Sequence, residues 1–197
     1  MSEEALFSSY QEALIFAFNY ADQQYARGLM ERLYVKAGTG KGLVGLDGAG
    51  EAGMIMADVM RLSQVEQDVL CVRYTKVKSF CKCCGHEVDT TQVKDALSRL
   101  EVYIKTTKYS DDKKENTKIK DVINLINLAL IRAVIYEYFG LVNYGNIKKI
   151  AERFEVHRDT ASRYSTHIKK ALRMLERKAE RAICASLEAA GKVTIDE

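Results

Sequence analysis

Apolar side chains recur every three or four residues along most of the chain, the spacing that lines one face of an α-helix. Over residues 3 to 35 the stripe runs Leu6, Phe7, Tyr10, Leu14, Ala17, Phe18, Ala21 and Tyr25, with Ser2 placed to cap the first turn. Residues 37 to 53 interrupt it. They hold seven of the chain's twelve glycines, which predicts a loop or a run of tight turns. Helix resumes with Met54, Ile55, Val59, Met60 and Leu62. The next helix starts near Ser63, whose spacing to Glu66 is that of a capping box, and buries Val65, Val69, Leu70 and Val72 before ending near Tyr74.

Beyond a cysteine-rich stretch at residues 75 to 90, helical spacing returns from Thr91 through Val93, Ala96, Leu97, Leu100 and Ile104. Residues 105 to 120 are polar and charged, centred on Asp111 to Lys114, and read as a linker. Ile119 to Phe139 is apolar on nearly every side, which predicts a central buried helix ended or bent by Gly140. The expected fold is mainly α. Residues 1–104 form a helical N-terminal region with a glycine-rich loop at 38–53 and a cysteine cluster at 81–86. The linker 105–120 and a helical domain at 121–197 follow.

Composition supports a folded helical chain. Of 197 residues, 47% are hydrophobic and 29% charged, and proline is absent, although average usage would give roughly ten. No apolar run reaches the roughly 18 residues a spanning helix needs, and Met1 to Glu4 lacks the basic region of a secretory signal. A cytoplasmic protein without a membrane partner is expected. The net charge of +3 hides an asymmetry: residues 1–70 carry 5 basic and 10 acidic side chains, whereas residues 145–181 carry 11 and 5. A second basic segment, 71–120, carries 12 and 7. The basic segments suit a polyanion, and the acidic block suits a different partner.

The most informative stretch is residues 147–166. It reads as two short helices joined by a tight turn, with Ile150, Ala151, Phe154, Val156, Ala161 and Tyr164 at the inner positions that a DNA-binding helix-turn-helix needs. Ala151 is small where the helices cross, and Val156 plugs the corner. At the turn position where positive φ favours glycine, this chain has Glu155. The outward face of the second helix would carry His157, Arg158, Asp159, Ser162, Arg163 and Thr166. Arginine pairs with guanine edges and hydroxyls reach bases or phosphates, while Lys148, Lys149, Lys169 and Lys170 would neutralise the DNA backbone. The alternative is a solvated basic face on a helical bundle. An apolar seam of Ile168, Ala171, Leu172, Leu175, Ala179, Ala182, Ile183 and Leu187 extends the second helix to about Ala190, to pack on the Ile119 to Phe139 helix or on a second copy in a homodimer. Cys184 on this helix reads as a small apolar filler.

Cys81, Cys83, Cys84 and His86 bring three thiols and an imidazole within six residues, and Cys81-x-x-Cys84 with Gly85 is similar to one knuckle of a structural zinc site. A closed site needs four ligands, and adjacent Cys83 and Cys84 rarely reach one ion together. Zinc and a surface turn of reduced thiols are even alternatives. Two glycine motifs imitate phosphate loops. Gly48 to Gly53 matches the dinucleotide fingerprint ahead of a helix, but the βαβ units it requires are missing from the pattern. Gly40-Lys41 is preceded five residues earlier by Val35, and Gly42 stands where Ser or Thr would hold magnesium. No nucleotide cofactor is expected. A nucleotide-binding enzyme built on residues 38–53 is the competing reading from another class; no catalytic constellation is recognisable from spacing.

The paired helices with the following Ile168-Lys-Lys-Ala-Leu-Arg-Met-Leu175 run resemble region 4 of a bacterial sigma factor or a response-regulator output domain. The N-terminal part joins Ala13 to Tyr20, the glycine-rich Gly38 to Gly53, Arg73-Tyr74 and the Cys81 to Cys84 cluster. Together these resemble the Q-type late antitermination proteins of phages and prophages. That resemblance implies a non-enzymatic factor that binds double-stranded DNA, engages host RNA polymerase near a late promoter and carries it through terminators. The family's zinc element would fall on Cys81, Cys83 or Cys84. A sigma-like initiation factor or a repressor would use the same helix-turn-helix without travelling with polymerase.

Overall fold

A computed structural model of the chain describes residues 5–26, 46–76, 78–80, 87–106 and 128–193. The elements among them are α1 (Tyr10–Ala26), α2 (Leu46–Met60), α3 (Gln64–Tyr74), β1 (Lys78–Phe80), β2 (Glu87–Asp89), α4 (Thr91–Thr106), α5 (Leu128–Tyr138), α6 (Ile147–Arg153) and α7 (Arg158–Ala189). The architecture is mainly α, as the periodicity predicts. The chain divides into two compact units, residues 1–76 with 178–197, and residues 77–177. This differs from the expected division into 1–104, 105–120 and 121–197. α4 shares a unit with α5, and the end of α7 belongs with the N-terminal helices.

In the first unit α1 packs on α2 and α3. α1 begins later than the apolar stripe predicts, because Phe7 forms a parallel bridge with Val193 and its N–H donates to the Lys192 carbonyl at 3.0 Å. The chain ahead of Tyr10 is thereby held outside the helix. The Ser9 hydroxyl accepts from the Glu12 N–H at 3.2 Å, the capping role expected of Ser2, which lies outside the described residues.

α2 corrects the expectation of a loop up to Gly53. Gly48, Gly50 and Gly53 lie inside this helix. The reason is burial: Gly48, Ala52, Ile55 and Val59 form a covered stripe at helical spacing. Packing that stripe against α1 offsets the roughly 1 kcal/mol that each interior glycine costs. Glycines 38, 40, 42 and 45 lie outside the described residues.

α3 starts where Ser63 predicts it should. The Glu66 carboxylate accepts from the Ser63 N–H at 3.0 Å and from its hydroxyl at 2.6 Å. At the other end Asn19 on α1 closes the helix: its amide donates to the Tyr74 carbonyl at 2.8 Å, and its oxygen accepts from the Lys76 N–H at 2.7 Å. The C-terminal part of α7 completes the unit, with Ala179, Ile183 and Leu187 buried. There the Tyr74 hydroxyl donates to Glu180 at 2.6 Å, and the Ser186 hydroxyl donates to Asp58 at 2.8 Å. The Cys184 thiol donates to Glu188 at 3.1 Å, and that bond together with burial holds the thiol above its ordinary pKa. The residue is half-buried and bound to a carboxylate, a polar contact beyond the apolar filler expected of it.

In the second unit β1 and β2 pair antiparallel, with Lys78 opposite Asp89 and Phe80 opposite Glu87. α4 buries Val93, Ala96, Leu97, Leu100 and Ile104, and packs on α5, which buries Leu130, Ile131, Ala133, Val134 and Ile135. The Glu101 carboxylate accepts two bonds from Arg132, at 2.6 and 2.9 Å, which hold the guanidinium above its ordinary pKa. Gly140 ends α5 at φ 71°, with its N–H donating to Glu137 at 3.1 Å and the Leu141 N–H donating to Tyr136 at 2.9 Å. This is the Schellman closure that a glycine in the left-handed region allows. Residues 107–127, which include most of the expected linker and the start of the expected Ile119 to Phe139 helix, lie outside the described residues.

Candidate nucleic-acid interface

Asn146 caps α6, its side-chain oxygen accepting from the Lys149 N–H at 3.0 Å. Ile150 and Ala151 are buried beneath it, and Ala161, Tyr164 and Ile168 are buried along the first turns of α7. Phe154 and Val156 are half-buried at the corner. Between the helices the chain closes as it does after α5. The Glu155 N–H donates to Glu152 at 3.4 Å, and the Val156 N–H donates to Ala151 at 3.0 Å. Glu155 stands at φ 54°, the single positive-φ residue other than glycine among the described residues. A left-handed residue at that point stops α6 and turns the chain into α7, whose first bond runs from the Ala161 N–H to the His157 carbonyl at 3.0 Å.

The turn gives α7 one buried and one outward face. His157, Arg158, Asp159, Ser162, Arg163 and Thr166 are all exposed on the outward face, as are Lys148, Lys149 and Lys170 nearby. The Asp159 N–H donates to His157 Nδ1 at 3.4 Å, which orients the imidazole over the first turn. The Thr166 hydroxyl donates to the Ser162 carbonyl at 3.0 Å, leaving its oxygen lone pairs outward. Arg158 and Arg163 have no acidic partner among the described residues. Arg153 lies over the Tyr144 ring at 5.5 Å, and Lys148 sits 3.9 Å from Glu152.

Lys169 stands apart from the other cations named for the DNA backbone. It is half-buried, with its ammonium 3.5 Å from the Glu137 carboxylate on α5. Two turns further along α7, the Tyr138 hydroxyl donates to Glu176. These contacts dock the start of α7 on α5, the first of the two packings expected for its seam. Of the expected seam, Ile168, Leu172, Leu175, Ala179, Ile183 and Leu187 are buried within the chain, Ala171 is half-buried and Ala182 is exposed. Two exposed side chains that the sequence reading passes over, Arg173 and Arg177, continue the outward face. Their signal is the step of three and four from Arg163 through Thr166 and Lys170.

Cys81, Cys83, Cys84 and His86 lie outside the described residues, in the connection between β1 and β2. Among the described residues no group of three or more His, Cys, Asp or Glu side chains is placed to hold a metal ion. The Gly48 to Gly53 fingerprint lies within α2 instead of ahead of a helix. No helix among the described residues is long and apolar enough to cross a membrane. Comparisons with protein families, curated proteins and solved structures return no match.

Proposed function

We propose that the protein is a sequence-specific, double-stranded-DNA-binding transcription regulator, and that α6 and α7 act as its helix-turn-helix. The observation that carries this reading is the turn itself. Glu155 takes the left-handed conformation at the one position where a helix-turn-helix needs it, and the two helices then bury Ile150, Ala151, Ala161 and Tyr164 in the expected register. The N-terminal turns of α7 are left free to enter a major groove. Arg158 and Arg163 would read base edges, Ser162 and Thr166 would reach bases or phosphates, and Lys148, Lys149 and Lys170 would hold the backbone.

Of the regulators that use such a module, the reading favoured here is a phage or prophage late-gene antiterminator, active in the cytoplasm of a bacterial host. The N-terminal motifs support it by their resemblance to the Q-type proteins. An excess of acidic side chains over residues 1–70 supports a protein contact, here with host RNA polymerase, separate from the basic DNA face. The activity is non-enzymatic: the protein binds, positions and travels with the transcribing complex. Zinc, if taken up, would be held by the cysteine connection and would serve a structural role there.

Transcription through a terminator tests the proposal. Host polymerase started from the protein's late promoter is expected to read through in its presence and to stop when Arg158→Ala and Arg163→Ala are combined. Stimulated initiation with unchanged termination would point to a sigma-like factor, and blocked initiation to a repressor.

A further inference from the structure

We infer that the DNA contact continues along α7 beyond the helix-turn-helix, with Arg173 and Arg177 gripping the phosphate ridge that the helix crosses as it leaves the groove. This rests on the DNA-binding reading above and extends it to two residues outside that motif.

Arg163, Thr166, Lys170, Arg173 and Arg177 follow one another at steps of three, four, three and four residues and form one exposed stripe. From Arg163 to Arg177 the stripe is about 21 Å long at 1.5 Å per residue. The major groove is about 12 Å wide. A helix that enters the groove by its first turns therefore cannot keep its later turns inside; they pass over the flanking backbone. The side chains presented there are cationic. The acidic residues on this part of α7 are disposed elsewhere: Glu176 is buried against Tyr138, and Asp159 sits at the very start of the helix.

Pairing sharpens the point. Arg132 and Lys169, in the same unit, are neutralised by Glu101 and Glu137. Arg173 and Arg177 have no acidic partner among the described residues. Uncompensated cations at consecutive turns of an exposed helix face repel one another, and a polyanion laid along them relieves that repulsion. Contacts of this kind position without specifying: they should strengthen binding to all sequences alike and steepen its salt dependence.

The test is fluorescence anisotropy of the full chain on a labelled mixed-sequence DNA duplex of about 31 base pairs, three helical turns, across a range of salt concentrations. Arg173→Gln with Arg177→Gln removes both charges from exposed positions while keeping near-equal helix propensity. Circular dichroism checks that its helicity is unchanged. The slope of log affinity against log salt is expected to become shallower by about 1.8, about 0.9 for each lost phosphate contact. Arg173→Lys with Arg177→Lys is expected to restore the slope. An unchanged slope in the Gln pair, with binding still weakened by Arg158→Gln and Arg163→Gln, would overturn the extension and leave the helix-turn-helix standing. Failure of the unaltered protein to bind any duplex at 50 mM salt, the lower end of the usual range, would overturn both.

Discussion

Replacing Glu155 gives a measurement whose sign depends on the turn between α6 and α7. An L-residue in the left-handed region costs roughly 1–2 kcal/mol, which glycine avoids. Glycine gives back about 0.5–1 kcal/mol in unfolded-state entropy. Glu155 stands at φ 54° and is exposed, so its side chain contributes little packing. Glu155→Gly is therefore expected to stabilise the protein by about 0.5–1 kcal/mol, and Glu155→Ala to leave it near the starting value. Glu152, three residues earlier in α6 and also exposed, supplies the control. In a helix interior alanine is better than glycine by about 1 kcal/mol, so the Ala-to-Gly difference should be destabilising at 152 and stabilising at 155. Equilibrium urea unfolding, with midpoints compared at constant m, reads both differences. If glycine at 155 is destabilising by the same amount as at 152, residue 155 is helical. α6 and α7 would then form one continuous rod, and no helix-turn-helix exists.

Other substitutions probe the surroundings. Gly50→Ala and Gly53→Ala place a methyl group where nothing lies within 4 Å, so each should raise stability by about 0.5–1 kcal/mol; a loss in the same unfolding assay would mean that those residues do not lie in a helix. Tyr164 buries a hydroxyl with no hydrogen-bond partner among the described residues, and burial raises its pKa. Tyr164→Phe should therefore stabilise by about 1 kcal/mol, and destabilisation would reveal a bond to that hydroxyl. Burial raises the pKa of Glu66, but hydrogen bonds from Lys178 and Ser63 outweigh it and hold the carboxyl below its ordinary value. Its contribution is thus complete above the unfolded-state pKa and is lost as pH falls through that value toward the folded one. The stability difference between the unaltered protein and Glu66→Gln should be about 1 kcal/mol at neutral pH, since Lys178 is largely exposed and screened. It should shrink toward zero in acid; a difference that stays constant from neutral pH to acid would contradict the assigned pairing.

What the sequence discloses about this fold is mostly local. Ser63 with Glu66 marks the start of α3, Gly140 marks the end of α5, and the run from Ile150 to Tyr164 marks the two helices around Glu155, because each signal lies within one or two turns of the element it sets. The start of α2 is hidden for the converse reason. Three glycines argue for a loop, and only burial of Ala52, Ile55 and Val59 against α1 overrides them. Pairings between distant residues leave no local trace. Tyr74 with Glu180 and Asp58 with Ser186 tie the end of α7 to the N-terminal helices across more than a hundred residues, so a boundary placed at a polar stretch does not coincide with the division between the compact units. Lys169 reads as a phosphate contact until Glu137 is found beside it. The outward face of α7 is legible as far as Lys170. Beyond it the apolar seam is the stronger periodic signal, and Arg173 and Arg177 lie outside the stretch that the helix-turn-helix pattern covers.

The central claim is that the outward face of α7 reads DNA sequence. Its most direct test is to incubate the purified protein with fragments of its own genome at low and at higher salt, and to sequence what is retained. One or a few sites that survive the higher salt, and that are lost with Arg158→Ala or Arg163→Ala, are the predicted result. Uniform retention that disappears as salt rises would contradict it, and would leave the face as an electrostatic patch with no base readout.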